Sequence, residues 1–397
     1  MQNVSGSASA VDLSLVAFRR DLHAHPELRF EEVWTAQRIA AEIESDVDEL
    51  VTGIGGTGVL ARVDGVESGG RVLVRADIDA YPVPDLKEVG YRSQNVGVTH
   101  ACGHDVHAAV GVGVLRRFAR ERPKRGSVSV IFQPAEEIPF GCPSGAATVL
   151  EHPAVAGLRP DAVLGLHCWP QLEAGQIGID PSIAMAAKDA FEIVVSGTSA
   201  HAATPAQGRD AILAAAFFVT AVHAAVARRR DPSELVALNV GTISGGFSQS
   251  VLASEVRLTG TLRTRDEELR RRLRTVIGAV ADGVGVQFDT TLQLRWADQM
   301  PAVRNDGALV ALARGTLARV ADVVTLEVGS MTSDDFALYS ALGPTLYLKL
   351  GVASPGRGPA APLHSGQFDV DESCIHVGVT ALATLCLDVL ARSTGGS

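Results

Sequence analysis

Hydrophobic positions along the chain follow two spacings in turn, and the alternation predicts a mixed α/β protein. Short runs that are apolar, or apolar at every second residue, are typical of strands. Other stretches repeat apolar residues every three to four positions, as on one face of a helix, for example from His104 to Phe118. Strands that alternate with helices predict a parallel sheet covered by helices. The predicted strands of this first part are 59–63, 71–75, 127–132 and 161–166.

The order of elements changes near residue 184 and indicates an inserted domain. From 191 to 294 the pattern predicts strand, helix, two strands, helix and strand, which is a self-contained split βαβ unit. We therefore predict a first domain in two segments, 1–183 and 298–397, with an inserted domain at 184–297.

Residues that bind metals are concentrated in one stretch, His100 to His107, which reads HACGHDVH. Thiolates and imidazoles are good ligands for zinc and its first-row neighbours, so Cys102 and His104 are predicted ligands. The stretch runs into the predicted helix, whose positive N-terminal end favours a thiolate. His107 receives no role, because a helical histidine in this setting is more often packed, and a polar loop with incidental histidines remains the alternative.

The ends of predicted strands carry further polar residues. Asp77 and Asp79 follow the strand at 71–75, Glu136 and Glu137 follow the strand at 127–132, and His167 follows the strand at 161–166. Open α/β sheets place their sites at the carboxyl ends of strands. Two adjacent carboxylates after a buried strand are costly unless a cation neutralises them. His364, in a loop before the last predicted helix, completes the set of candidates.

Together these groups predict a dinuclear metal hydrolase. Five mixed N, O and S donors exceed what one tetrahedral zinc needs, and they suit two divalent ions about 3.5–4 Å apart. We expect Glu136 to be the general base and His201, from the inserted domain, to donate to the oxyanion. We expect Asp79 and Asp105 to orient the ligands; Asp77 stays unassigned. The predicted ligands are Cys102, His104, Glu137, His167 and His364.

Composition restricts the partners and the compartment. The net charge of -10 and the pI of about 5.6 argue against nucleic acid or an anionic membrane as a partner. The most apolar stretch, 211–227, falls short of the roughly 20 residues that a membrane span needs. Five scattered cysteines and the lack of a secretory signal at residues 1–10 predict a cytoplasmic protein.

The motifs resemble those of the metal-dependent amidohydrolases that include aminoacylases, hippurate hydrolases, bacterial carboxypeptidases and auxin-conjugate hydrolases. The branch with a cysteine ligand, the N-acyl-amino-acid and auxin-conjugate hydrolases, is the most similar. The resemblance runs from about residue 19 to residue 373. It is carried by RRDLHAHPEL at 19–28, RADIDA at 75–80, HACGHDVH at 100–107, FQPAEE at 132–137, GLHCWP at 165–170, SAHAATPAQGRDAI at 199–212, GTLR at 260–263 and HSGQFD at 364–369.

The resemblance implies a zinc-peptidase-like three-layer α/β/α catalytic domain and an inserted ferredoxin-like lid through which subunits form dimers or tetramers. It implies two divalent metal ions per subunit, manganese or zinc, with cobalt or nickel as alternatives. The five predicted ligands and the base Glu136 match its motifs. His201 matches a lid histidine that commonly reaches the partner subunit's active site, and Arg263 matches a lid arginine near the substrate carboxylate.

Departures from the family pattern concern substrate binding. Ser250 stands where the family has an asparagine that helps to hold substrate, Asp334 replaces a glutamate, and Ala200 replaces a glycine. The leading hypothesis is hydrolysis of the amide bond of an N-acyl amino acid or a related conjugate. The alternatives are a metallo-dipeptidase or carboxypeptidase with the same site, and, in another class, a metal-binding regulatory protein without catalysis.

Overall fold

The computed structural model describes residues 12–139 and 141–392 of the chain. Its strands form an eight-stranded sheet, a four-stranded sheet and a pair of short strands. In chain order the strands are β1 (Glu49–Ile54), β2 (Gly58–Asp64), β3 (Glu67–Asp77), β4 (Arg125–Gln133), β5 (Ala162–Glu173), β6 (Gln176–Ile179), β7 (Ile183–Met185), β8 (Ala187–Ser196), β9 (Val236–Gly245), β10 (Glu255–Thr264), β11 (Thr291–Met300), β12 (Val303–Arg304), β13 (Asp322–Thr325) and β14 (Thr345–Ala353). The helices are α1 (Leu13–Ala24), α2 (Val33–Ile43), α3 (His104–Arg120), α4 (Gly145–Glu151), α5 (Pro153–Ala156), α6 (Ala211–Arg229), α7 (Glu267–Phe288), α8 (Gly307–Leu317) and α9 (Ser373–Arg392).

The central sheet has the strand order β1-β2-β4-β3-β5-β14-β6-β13. β3 pairs in parallel with β4 and β5, and β5 pairs in parallel with β14. Side chains on successive residues point to opposite faces. Thus Val72 and Val74 lie in the core that contains α1, α3 and α9, whereas Leu73 lies in the core beneath α4. Helical elements cover both faces, which explains why these strands are apolar almost without interruption. The predicted α/β class is confirmed.

The start of α3 depends on a glycine. Gly103 is the N-cap and has a φ of 84°, a left-handed conformation that side chains with a Cβ rarely adopt. A Cβ at this position would lie 2.6 Å from the Sγ of Cys168 on β5. The glycine therefore allows the loop that carries Cys102 to turn into α3 while it packs against β5.

The four-stranded antiparallel sheet has the order β11-β8-β10-β9 and spans residues 187–300. Helices α6 and α7 pack on one face of it and share a hydrophobic core with its strands. The chain order β8-α6-β9-β10-α7-β11 is the split βαβ order predicted from the sequence. α7 continues to Phe288, and Asp289 ends the helix in a left-handed conformation with φ 50°, so β11 begins only at Thr291.

Helices α6 and α9 are long and apolar enough to cross a membrane when only length and composition are considered. In α9, 61% of the apolar window is buried inside the fold, and in α6 the share is 33%. Both helices contribute buried residues to hydrophobic cores, Phe218 in α6 and Leu382 in α9. Core helices commonly have this composition, so these two give little support to a membrane span.

Candidate metal centre

The polar residues that follow β3 and β4, and a histidine within β5, lie at one edge of the central sheet. Parallel strands bring their carboxyl ends to the same edge, which makes this edge the expected position of a site. The loop before α3 and the loop before α9 approach the same place. The predicted ligand and base residues that the fold brings together are Cys102, His104, Glu136, Glu137, His167 and His364.

The first group of donors consists of Cys102, His104 and His167, whose ligand atoms all lie within 4.8 Å of one another. The Sγ of Cys102 lies 3.6 Å from the Nε2 of His167. The Nδ1 of His167 is 2.8 Å from the carbonyl oxygen of Cys168, to which it donates, so its Nε2 is left to face the group. The buried Nε2 of His104 makes no hydrogen bond to any described residue.

The second group consists of Cys102, Glu137 and His364, again within 4.8 Å. The Nε2 of His364 lies 2.8 Å from Oε1 of Glu137. Tyr81 stacks on the imidazole of His364, with ring centroids 4.1 Å apart. The backbone N–H of His364 donates to the carbonyl oxygen of Ala101 at 2.9 Å and ties this loop to the loop of Cys102. Cys102 belongs to both groups.

The donors are of the types that bind divalent cations. A thiol, imidazoles and a carboxylate are the ligand types that zinc and its neighbours select. Burial, with Glu137, Glu136 and Asp77 close by, raises the pKa of Cys102 well above its ordinary value. Burial and these carboxylates oppose the N-terminus of α3, which was predicted to favour a thiolate at Cys102. Positive charge from cations is what such a site needs in order to hold a thiolate.

Asp79 contacts one residue from each group. Its carbonyl oxygen and its Oδ1 lie 2.9 and 3.1 Å from the Nδ1 of His104 and accept its proton. Its Oδ2 accepts the backbone N–H of Glu137 at 2.8 Å. Burial lowers the pKa of His104, but Asp77 and Asp79 outweigh burial and raise it to about 10. Asp79 fixes which nitrogen of His104 faces the donors, as a residue that orients a ligand does.

The structure corrects the role predicted for Asp105. Its carboxylate lies 2.6 Å from the Nε of Arg19 and 2.7 Å from the Nδ1 of His23, both on α1. Its hydrogen bonds and ion pairs with described residues include none of the predicted ligands. Successive residues on a helix point about 100° apart, so His104 faces the donors while Asp105 faces α1. Asp105 holds α3 against α1 and does not orient a ligand.

Asp77 and His107, which the sequence left unassigned, form a buried support beneath the donors. The Nδ1 of His107 donates to Asp77, and its Nε2 accepts the backbone N–H of Cys168 at 2.9 Å. Both ring nitrogens are thus engaged, so His107 is not a free ligand. Arg75, with His104 and His107, outweighs the effect of burial and holds the pKa of Asp77 well below its usual range. The signal in the sequence was the spacing, because Asp79 follows Asp77, the last residue of β3, by two positions, and residues two apart on an extended chain point to the same side.

Glu136 lies in a group of three carboxylates with Asp334 and Asp335, within 4.8 Å of one another. Burial, then Glu137 and these aspartates, raise the pKa of Glu136 well above its ordinary value. Asp335 is fixed by Arg75 at 2.7 Å. In the sequence, Asp334 was notable only as a departure from a motif. Nothing in the sequence indicated that Asp334 and Asp335 lie beside Glu136 and raise its pKa.

The backbone before Glu136 is held in an unusual conformation. Ala135 has a φ of 52°, in the left-handed region, and its N–H donates to Oε1 of the buried Glu32 at 2.9 Å. A Cβ at Gly145, the first residue of α4, would lie 1.6 Å from the carbonyl oxygen of Pro134. Strain of this kind persists only where the surroundings over-determine it, and it is common at functional sites.

A pocket with a volume of about 290 Å³ opens between the donors and the four-stranded sheet. Arg263 of β10 and Lys188 of β8 line it from that sheet. His201 and Ser250 do not line it, and both are exposed on loops that connect elements of the four-stranded sheet and its helices. In the described structure, neither His201 nor Ser250 lines the pocket of its own chain, so the predicted contacts with substrate are not made within one chain.

A family model described as Peptidase family M20/M25/M40 matches residues 73–388. The chain belongs to this family. An N-acetylcysteine deacetylase of Bacillus subtilis is 32% identical over 383 residues, with 95% of this chain and 97% of the relative covered. An N-acetyldiaminopimelate deacetylase of Geobacillus sp. (strain WCH70) is also 32% identical, with 92% of this chain and 96% of the relative covered.

Solved structures support the same assignment. The Bacillus subtilis YXEP protein, described as a dinuclear metal binding peptidase of family M20, has 31% identity and a TM-score of 0.82, with 96% of this chain and 98% of that chain covered. As a member of the M20 family this protein is a metal-dependent hydrolase of the amidohydrolase type. The family predicted from the motifs is thereby confirmed.

Proposed function

We propose that this M20 hydrolase cleaves the amide bond of N-acyl amino acids or related amino-acid conjugates, with two divalent cations held by the two donor groups that share Cys102. The observation that carries the proposal is the convergence of five donors, four of which line one pocket together with Glu136. Relatives named as N-acetyl amino acid deacetylases match the chain over more than nine-tenths of its length, which supports an amide substrate of this class.

In this mechanism the chain supplies a base, an oriented set of ligands and a substrate pocket. Divalent cations, when bound, supply Lewis acidity toward water and toward the scissile carbonyl. Glu136 accepts the proton of the attacking water and delivers it to the nitrogen of the leaving amine. Burial, then Glu137 and the nearby aspartates, raise the pKa of Glu136, so this carboxylate is suited to hold a proton between the two steps. Asp79 keeps His104 and Glu137 oriented throughout.

His201 and Ser250 enter the proposal through a second subunit. Both are exposed in the single chain, and we propose that His201 donates to the oxyanion in the partner's pocket while Ser250 contacts substrate there. The exposed Ile212, Leu213 and Phe217 on α6 provide an apolar surface for a homodimer through the inserted domain.

A cytoplasmic location remains part of the proposal. All five cysteines are free thiols in the structure, and four of them are buried. Free thiols of this number suit a reducing compartment.

A peptidase activity of the same site is the second candidate. A protein of Saccharolobus solfataricus named thermostable carboxypeptidase 2 is 27% identical over 98% of this chain. A dipeptidase needs an acidic group placed for the free α-amino group of its substrate. The carboxylates that line the pocket are engaged with the donors, with Arg75 or with the backbone of Gly141. This arrangement favours a substrate whose α-nitrogen carries an acyl group over a substrate with a free α-amino group.

The test is a hydrolysis panel with the protein reconstituted separately with Mn²⁺, Zn²⁺, Co²⁺ and Ni²⁺. It compares N-acetyl and N-benzoyl amino acids with dipeptides of the same amino acids. We expect turnover of acyl amino acids, and Glu136→Gln should keep its metal content while the rate falls by about 10²-fold or more. Faster turnover of dipeptides would establish the peptidase instead. No turnover by the metal-loaded wild type would support a regulatory metal-binding protein.

A further inference from the structure

Lys188 is the exception among the four lysines of the chain. Lys87 and Lys349 each form a buried ion pair with an aspartate, at 2.9 and 3.1 Å. Lys124 is exposed at the surface. Lys188 is half-buried in the wall of the pocket, and it forms no ion pair or side-chain hydrogen bond with the described parts of the chain. A partly buried ammonium without a partner is unfavourable and needs an explanation.

A second cation lies directly opposite. Arg263 on β10 is the register partner of Lys188 on β8, and both side chains line the same pocket. Like charges at directly opposed positions of two strands destabilise a sheet. Arg263 donates to the carbonyl oxygen of Met331 at 3.2 Å and to the Oγ of Ser333 at 3.3 Å, and neither acceptor carries a charge. Burial alone lowers the pKa of Arg263, with no carboxylate to offset it.

The carboxylates of the pocket are engaged elsewhere. Asp298 accepts the backbone N–H of Gly141 at 3.0 Å. Asp334 and Asp335 pair with Arg75 at 3.2 and 2.7 Å. The two glutamates of the pocket belong to the candidate metal centre. Two adjacent cations therefore face the space that a substrate enters, and neither forms an ion pair with a carboxylate of the described residues.

We propose that Lys188 and Arg263 together select a substrate with two carboxylates, so that each cation binds one. The proposal rests on the proposed amide hydrolysis and names its substrate class as N-acyl amino acids of net charge near -2. A substrate with one carboxylate leaves one of the opposed cations uncompensated, whereas a second carboxylate satisfies both. The second carboxylate belongs either to the amino-acid side chain or to the acyl group.

The experiment compares isosteric substrates that differ by one charge. N-acetyl-L-glutamate against N-acetyl-L-glutamine places the extra charge on the amino-acid half. N-succinyl-L-alanine against N-succinamoyl-L-alanine places it on the acyl half. We expect the wild type to prefer the charged member of one pair by about 10- to 100-fold in kcat/KM, with the difference mainly in KM. The pair that shows the preference identifies the half that carries the carboxylate.

Variants of Lys188 test the residue itself. Lys188→Met should reduce the preference ratio toward one, Lys188→Arg should keep it, and Lys188→Glu should disfavour the charged member. Lys124→Met is the matched control, because it removes an exposed lysine away from the pocket, and it should keep the wild-type ratio. A merely structural role for Lys188 would lower both rates of a pair equally and leave the ratio unchanged.

Binding of glutarate, with glutaramate as its singly charged isostere, gives a second measurement that needs no turnover. By calorimetry, Lys188→Met should weaken the binding of glutarate by about tenfold or more and the binding of glutaramate less. Equal kcat/KM values within both substrate pairs, or a ratio that Lys188→Met leaves intact, would overturn the selection of a second carboxylate. If the wild type hydrolyses no acyl amino acid, the proposed function fails, and the glutarate result alone decides whether the two cations form a dicarboxylate site.

Discussion

Asp79→Asn should weaken metal binding without removing any ligand. The aspartate offers two carboxylate oxygens, one to the Nδ1 of His104 and one to the backbone N–H of Glu137. Asparagine offers one oxygen, so its amide group must face one of these two donors. The backbone carbonyl oxygen of residue 79 still accepts the N–H of His104 in the variant, which limits the loss of metal affinity. One buried donor without a good acceptor costs about 1–3 kcal/mol, which corresponds to about a 5- to 150-fold higher Kd for metal.

Loss of the negative charge at Asp79 acts in the same direction. A carboxylate attracts a divalent cation more strongly than the single proton that competes for His104. The assay is competition with a chromophoric chelator at fixed pH, which gives the Kd for Zn²⁺ and Mn²⁺. The matched control is Asp105→Asn, the same substitution at a buried aspartate that holds Arg19 and His23. The control should lower Tm and keep the Kd within about threefold of the wild type.

Metal binding by Asp79→Asn as tight as that of the wild type would refute the role of Asp79 in orienting the ligands. Equal weakening by Asp105→Asn would refute it too, because the effect would then come from general loosening of α3. Circular dichroism of both variants in the absence of metal checks that each of them folds.

Three further predictions concern the two donor groups, the subunit arrangement and the loop of the base. Cys102→Ser should lower the metal content of the purified protein, measured by elemental analysis, because Cys102 belongs to both donor groups and serine is a harder and less acidic ligand. A metal content equal to that of the wild type would show that Cys102 is not a ligand. His201→Ala should lower the rate and keep its metal, and mixing it with Glu136→Gln should restore part of the activity if the site is completed across a dimer; inactive mixtures argue against a shared site. Gly145→Ala should cost about 1–3 kcal/mol or more in the free energy of unfolding, measured by denaturant titration, since the new Cβ meets a backbone oxygen, whereas Gly157→Ala meets open space and should be near neutral.

The sequence predicted the elements and most of the donors. Apolar runs with turn residues at their ends are local signals, and they located the strand that ends before Glu136 and the strand that carries His167, although β5 continues to Glu173 beyond the predicted end at residue 166. The density of ligand-type residues between His100 and His107 was also readable without a structure. Parallel strands must share an edge for their carboxyl ends, so convergence of the strand-end residues follows from the element order alone.

Helix phase and strand register were decided only by the tertiary structure. They set Asp105 toward α1 rather than toward the donors, placed Cys102 between the two donor groups, and put Lys188 opposite Arg263. The local sequence determines which residues lie close to one another along the chain. Which distant residues meet depends on how whole helices and sheets pack, because that packing is the free-energy balance of all their side chains together and not of any one motif.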